Sequence, residues 1–346
     1  MRQLIARKDF PEMDDLEDLI TQFGDLARTR VVAEVSHNNR TFPLYSVSIG
    51  SQRPTDPALG IFGGVHGLER IGSEVVLSFM HTVLEWIKWD SNYKARFENS
   101  RLVFMPIVNP VGIVNLTRSN GNGVDLMRNS PLDGDEPGPR GSIYRGHRIS
   151  PKLPFYRGPL GGEMEVEAKA MLDVVEKELL TSPLSLAIDV HSGFGARDRF
   201  WFPYAHSRKP FPHLPEAYGL KRLFDRTYAH HFYAFEPTSR QYTINGDIWD
   251  YVFEENRRKA NSPFFIPFTL EMGSWNWLRK NPFQIFKAAG IFNPIKPHRR
   301  NRILRRHLNL FDFLHRAVLS PGAWRPTDTN QNDEFGRFAR DLWYAS

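Results

Sequence analysis

The sequence predicts a single α/β domain with a central twisted mixed β-sheet and helices on both faces. Three features carry that prediction. Leu184–Val190 (Leu-Ser-Leu-Ala-Ile-Asp-Val) is an almost unbroken apolar run, the pattern of a strand covered on both sides. Ala58–Val65 and Phe264–Leu270 repeat the pattern. Between these runs, Ile71–Ile87 and Glu163–Leu180 carry apolar residues at helical spacing, Val75, Val76, Phe79, Val83 and Trp86 in the first and Ala168, Met171, Leu172, Val175 and Leu179 in the second.

The remaining elements follow in order. Asp14–Ala27 reads as an amphipathic helix, and Arg30–His37 with Thr41–Ile49 as a hairpin joined at Asn38-Asn39-Arg40. Arg101–Val108 is a further strand. Residues 109–160 are rich in Gly, Pro, Asn and Arg without periodicity, and a stretch this long without regular elements points to function. Within it, the polar Asp133–Arg140 loop is either a roof over the site or a surface excursion. Residues 211–262 read as one helix around Glu216–His231 among irregular segments. Phe264–Leu270 reads as a further buried strand, with Pro267 the residue that weakens this reading. A last helix, Ile303–Leu319, leads into a polar tail near Pro326–Asp333. The expected division is a helical lead-in over 1–29, a catalytic domain over 30–320 and a polar tail over 321–346.

Composition narrows the function classes. The chain has 346 residues, 41% of them hydrophobic and 13% aromatic, enough for a substantial core. No run is long enough to cross a bilayer, and Met1–Asp9 lacks the sustained apolar region of a signal peptide, so a cytoplasmic protein without membrane attachment is expected. The absence of cysteine excludes disulfides, thiol catalysis and cysteine metal sites, leaving nitrogen and oxygen ligands for any zinc. The net charge of +6 is modest, and its densest cluster lies at Pro297–His307. No stacking aromatics interleave with those arginines, so the cluster reads as the solvated side of a helix and no nucleic-acid partner is expected.

The chemistry concentrates in Phe62-Gly63-Gly64-Val65-His66-Gly67-Leu68-Glu69-Arg70. An apolar strand ends in two glycines, and His66 and Glu69 follow in a strand-to-helix turn at the carboxyl edge of the sheet, where open α/β sheets place their sites. The glycines let backbone pass close to a bound group. Alone, this pair also fits a buried histidine beside a helix-starting glutamate. His191 follows the strand Leu184–Val190, and Glu271 follows Phe268-Thr269-Leu270. If those strands are parallel neighbours, His66, Glu69 and His191 form a two-His, one-carboxylate zinc site and Glu271 supplies the base for its water. The other histidines, His230 and His231 included, lack partners at ligand spacing. Cobalt or manganese would accept the same ligands.

Six blocks in order, His66-x-x-Glu69, Asn109-Pro110, Thr117-Arg118, Gly123-Val124-Asp125-Leu126-Met127-Arg128-Asn129, His191-Ser192 and Phe268-Thr269-Leu270-Glu271, resemble the zinc carboxypeptidase family of carboxypeptidase A-like metallopeptidases over roughly residues 30–290. The resemblance implies one zinc ion per chain on His66, Glu69 and His191, with Glu271 as general base and Arg118 stabilising the oxyanion. It also implies that Arg128 grips the substrate's terminal carboxylate and that Tyr242 closes over the substrate. The implied substrate is a peptide or peptide-like amide beside a free carboxylate. Three positions depart from the family: Met127 stands for an asparagine, Leu68 for an arginine and Val111 for an aspartate. The first removes a charge-assisted hydrogen bond, about 1.5–3 kcal/mol of substrate binding. The departures shift the expectation from ordinary C-terminal trimming towards cell-wall peptides or other unusual amides. Asp247 lies near the family's side-chain pocket, where it would favour Lys, Arg or the amino end of a diaminopimelate; the competing reading is a helix-capping aspartate. The alternatives are an N-acyl amino acid deacylase of the aspartoacylase or succinylglutamate desuccinylase type, and a zinc-free protein binding an anionic partner through Arg299–Arg306.

Overall fold

The computed structural model describes residues 10–135, 143–286 and 290–345. Its centre is an eight-stranded mixed sheet. In chain order the strands are β1 (Ala27–His37), β2 (Arg40–Gly50), β3 (Ala58–Gly63), β4 (Arg101–Met105), β5 (Leu184–Ser192), β6 (Arg199–Phe202), β7 (Ala234–Pro237) and β8 (Phe264–Met272). Across the sheet they run β1-β2-β4-β3-β5-β8-β6-β7. β3, β4, β5 and β8 are parallel to their neighbours in the middle, while β2 and β6 join antiparallel on either side. The β1–β2 turn needs two consecutive left-handed residues, and Asn38 and Asn39 supply φ of 49° and 60°.

The helices are α1 (Pro11–Phe23), α2 (Arg70–Trp89), α3 (Ser91–Ala95), α4 (Pro110–Asn115), α5 (Val166–Val174), α6 (Leu214–Thr227), α7 (Ile248–Arg258), α8 (Trp275–Lys280), α9 (Pro297–Arg306), α10 (Leu308–Leu319) and α11 (Thr329–Trp343). Strand alternation sorts the core into two layers. Leu59 and Ile61, Leu102 and Phe104, and Leu186 and Ile188 pack with α2 and α10, through residues such as Phe79 and Phe311. Ala58, Phe62, Val103, Met105 and Ala187 face α5 and α7, against Met171, Val174, Ile248 and Trp249. That second face is where Asp189 and His191 must point, because they alternate with Ile188 and Val190 along β5.

The buried strand expected at Phe264–Leu270 is present as β8 despite Pro267; the β6 ladder stops at Thr269, so Pro267 sits where only β5 lies alongside. Other elements differ from expectation. The helix expected at Ile303–Leu319 begins earlier and breaks at His307, giving α9 and α10. The polar tail is corrected outright: α11 is capped by Asp328 and buries Phe335, Ala339 and Trp343 against α6 and β7. α7 and β7 replace irregular chain within 211–262, and β6 adds a strand where none was expected. Among the described residues, no helix is long and apolar enough to cross a membrane.

His307 and His315 are both fully buried, holding Tyr233 Oη and Ser100 Oγ at 2.8 Å. Burial, then Arg306 beside His307 and Arg96 beside His315, pushes both imidazoles down to about 3 from 6.5. Between those values the unfolded chain binds protons that the native state refuses, so this stability is present above pH 6.5 and falls as pH drops. Denaturant titrations are expected to show lower stability at pH 5 than at pH 7, with a shallower decline in His315→Gln. An equal decline in the variant would contradict the assignment.

Candidate metal centre

The turn after β3 is shaped by close backbone approach. Gly64 adopts φ +68°, and a Cβ on Gly67 would lie 1.9 Å from the carbonyl carbon of Gly112 at the start of α4. These glycines thus admit neighbouring backbone and the Ser73 side chain, instead of a bound group. Glu69 occupies the position before α2, its N–H donating to His66 O and its own carbonyl accepting from Gly72. Asn293 brackets the turn, donating through Nδ2 to Leu68 O and accepting the Ile71 N–H.

β5 and β8 are parallel neighbours, and their register sets His191 beside Glu271. His66, Glu69 and His191 converge as a buried group able to hold a metal ion. His66 Nδ1 lies 2.9 Å from Glu69 Oε1, and His191 Nδ1 lies 3.2 Å from both His66 Nδ1 and Glu69 Oε2. The outer nitrogens are occupied: His66 Nε2 donates to Asp125 Oδ1 at 3.2 Å and His191 Nε2 to Asp189 Oδ2 at 2.7 Å. With the protons held on Nε2, both Nδ1 lone pairs and a carboxylate face one point. A cation relieves that arrangement, and in its absence a proton taken up by His191 does so in part. Tetrahedral zinc with bonds of about 2.0–2.2 Å spaces its donors by roughly 3.3 Å, so the donor set fits. The electrostatics agree. Burial opposes charge on His191, yet Asp189 and Glu69 hold its imidazolium well above the ordinary range. Burial likewise opposes the Glu69 carboxylate, but His66 and His191 keep it below the usual range.

The group opens into a cavity of about 590 Å³. Glu271, Arg118, Arg128, Tyr242 and Asp247 all line it. Glu271 accepts the Phe194 N–H at 2.9 Å; burial, then the Glu69 charge, pushes its carboxyl up to about 8. Arg118 reaches Glu69 Oε1 through Nη1 at 3.4 Å and Asp125 through Nε at 2.8 Å. Arg128 gives Nη1 to the same Asp125 oxygen at 2.8 Å. Both guanidiniums lie over the Phe155 ring, at 5.2 and 4.7 Å. Tyr242 meets Phe194 and Trp201 edge-on, at 5.3 and 5.6 Å between centroids. Burial, then Glu271, raises its hydroxyl above the ordinary phenol range. Asp247 caps α7, its Oδ1 accepting the Asp250 N–H at 2.8 Å, so the capping reading holds while the residue also borders the cavity. Met127 and Leu68, two of the departures, line the cavity too. The far part of the expected roof, residues 136–140, lies outside the described residues; Asp133 and Asp135 pair with Arg157 and Lys209.

Two carboxylates were missed by sequence reasoning, Asp125 and Asp189. Asp189 carried a usable signal, since a strand residue two before a ligand shares its face. Asp125 lies inside the block that holds Arg128, but nothing local announces its contact with His66. The zinc carboxypeptidase family profile matches residues 13–284, and the chain belongs to that family. Carboxypeptidase SOL1 of Arabidopsis thaliana is 32% identical over 123 residues, 34% of this chain and 25% of that protein, so the chain matches about a quarter of that relative's length. Bovine thrombin-activatable fibrinolysis inhibitor is 18% identical with a TM-score of 0.65 over 90% of this chain and 97% of that one. Carboxypeptidase A from Helicoverpa armigera is 18% identical with a TM-score of 0.56 over 94% of this chain and 71% of that one. These structural likenesses establish the fold.

Proposed function

Within that family, we propose that this chain is a zinc-dependent hydrolase cleaving an amide beside a free carboxylate, the carboxypeptidase reaction on a peptide or peptide-like substrate. The observation that carries the reading is the convergence of two Nδ1 atoms and the Glu69 carboxylate, each backed by fixed partners, beside Glu271 on one cavity wall. Zinc held there by His66, Glu69 and His191 supplies Lewis acidity and makes water acidic near neutral pH. Glu271 takes the proton from the attacking water and delivers it to the leaving amine. Arg118, fixed by Asp125, faces the charge growing on the carbonyl oxygen. Arg128 pairs with the terminal carboxylate, and Tyr242, packed on the aromatic wall, covers the scissile region.

Metal analysis of the purified chain is expected to give about one zinc per chain. Removing it by chelation is expected to abolish peptide hydrolysis and to lower the thermal unfolding midpoint, both restored by zinc, because the converging lone pairs lose the charge that balances them. N-acyl amino acids assayed in parallel separate this reading from a deacylase. Full hydrolysis by the metal-free protein would refute it.

A further inference from the structure

We propose that a second cavity, walled by α8 and α9, binds a phosphate group, free or carried on a small organic molecule. The inference goes beyond the hydrolytic reading and does not depend on it. The cavity measures about 370 Å³, within the range of small-ligand sites. Among the described residues its lining holds five cations, Arg197, Lys280, Arg299, Arg302 and Arg306, against one carboxylate, Asp198. The periodicity of α9 accounts for three of them. Arg299, Arg302 and Arg306 stand at i, i+3 and i+7, on one face of the helix with Ile303. The arginines between them turn elsewhere: Arg300 Nε donates to Glu74 at 2.6 Å and Arg305 Nε to Asn301 O at 3.2 Å. Arg299 Nη1 and Nη2 donate to the Trp277 and Lys280 carbonyls at 3.5 and 3.4 Å, which ties α9 to the end of α8. α8 is tied in turn to the loop after β5. There the Trp275 N–H donates to Gly195 O at 3.0 Å, and Asn276 Nδ2 donates to Ala196 O. Three separate segments thus bring their cations to one concavity.

Asp198 balances only one of the five. Its Oδ1 accepts the Gly273 N–H at 3.0 Å, and its Oδ2 lies 3.2 Å from Arg306 Nε. Arg306 also covers the Phe232 ring, its Cζ 3.4 Å from the centroid. Among the described residues no carboxylate pairs with Arg197, Lys280, Arg299 or Arg302. Those four like charges repel one another, and the walls of a cleft focus their field into it. An anion seated there offsets the repulsion. A phosphate group suits the donors, because guanidinium forks bind its oxygens in pairs and a lysine meets its charge. Phe232, Trp277 and Ile303 add apolar lining for the organic part of a phosphate ester. A nucleic-acid strand is a poorer match. Arg300 is already paired with Glu74, and the other cations converge on a pocket instead of tracking a groove.

The test is calorimetric titration of the full zinc-loaded chain with inorganic phosphate, phenyl phosphate and a single-stranded oligonucleotide. Both phosphates are expected to bind saturably and to weaken as salt rises. Tighter binding of phenyl phosphate assigns the site to an ester, and equal binding assigns it to the free ion. Lys280→Gln and Arg302→Gln alter exposed side chains, so folding is not at stake. Each is expected to weaken phosphate binding about tenfold, and the double variant about a hundredfold. The unfolding midpoint without phosphate is expected to stay level or rise in these variants, because repulsion within the cavity falls. Native-like phosphate binding by the double variant places the anion elsewhere, the catalytic zinc included, and overturns the proposal. So does an absence of phosphate binding by the native chain, or tighter binding of the oligonucleotide than of either phosphate.

Discussion

Glu271→Gln is expected to keep the metal and lose turnover, with kcat falling about 10²–10⁴-fold. The substitution is nearly isosteric, and the amide oxygen can still accept the Phe194 N–H that now fixes Glu271 Oε1. The metal ligands lie on β5 and on the turn before α2, so their geometry does not depend on this side chain. What disappears is a group able to accept a proton. The pH profile gives a second check. In the metal-free protein the Glu271 carboxyl sits at about 8, raised by burial and by Glu69. A divalent ion beside it favours the ionised form and moves the value down. Because the base acts only when ionised, kcat/KM is expected to fall on an acid limb below pH 8, and the residual activity of the glutamine variant should lack that limb. Native-like turnover in Glu271→Gln, or an unchanged acid limb, would remove Glu271 from the mechanism.

The parts of this site that were legible in sequence share one physical cause. β3, β5 and β8 are covered on both faces, so they appear as continuous apolar runs, and a polar side chain just past such a run stands out. That is how His66, His191 and Glu271 could be placed on one sheet edge. What could not be read is set by contacts between distant segments. α7 begins with Ile248 and Trp249 but then carries Asp250, Glu254, Glu255, Arg257 and Arg258, and its buried stripe makes sense only against β8 and α5. α11 hides in a polar stretch because only its Phe335, Ala339 and Trp343 side is buried, against α6. Arg145, which lines the cavity beside the metal centre, shows no pattern at all in sequence; Asn245, a hundred positions along, holds its carbonyl. Asp247 illustrates a false choice, since one carboxylate both caps a helix and borders the cavity.

Asp125→Asn is expected to be more damaging than its exposure to chemistry suggests. Asp125 is 1% exposed, and its two oxygens serve three partners: His66 Nε2 on Oδ1, and both Arg118 Nε and Arg128 Nη1 on Oδ2. Burial alone would favour the neutral acid, but the two guanidiniums and His66 hold the carboxyl well below its usual range. An asparagine has a single acceptor oxygen and a donor NH₂. If the oxygen faces His66, the NH₂ confronts two guanidiniums; if it faces the arginines, the NH₂ confronts the His66 N–H. Either orientation leaves donors opposed in a buried place. Zinc affinity is therefore expected to fall about 10–100-fold, the usual consequence of losing a ligand's carboxylate partner. Stability is expected to drop by about 3–5 kcal/mol in denaturant unfolding, because Arg128 loses the anion that balances it where both are buried. Catalysis should suffer beyond the metal effect, since Arg118 and Arg128 lose their common anchor. At saturating zinc, kcat/KM for peptides is expected to stay depressed. Asp189→Asn supplies the control. Among the described residues Asp189 accepts from His191 and from Trp249 Nε1 alone, so its loss touches one ligand and neither arginine. Added zinc should restore most of the activity of Asp189→Asn and little of that of Asp125→Asn. If excess zinc rescued both variants equally, Asp125 would be a ligand support alone, and the coupling between the metal centre and the two arginines would not exist.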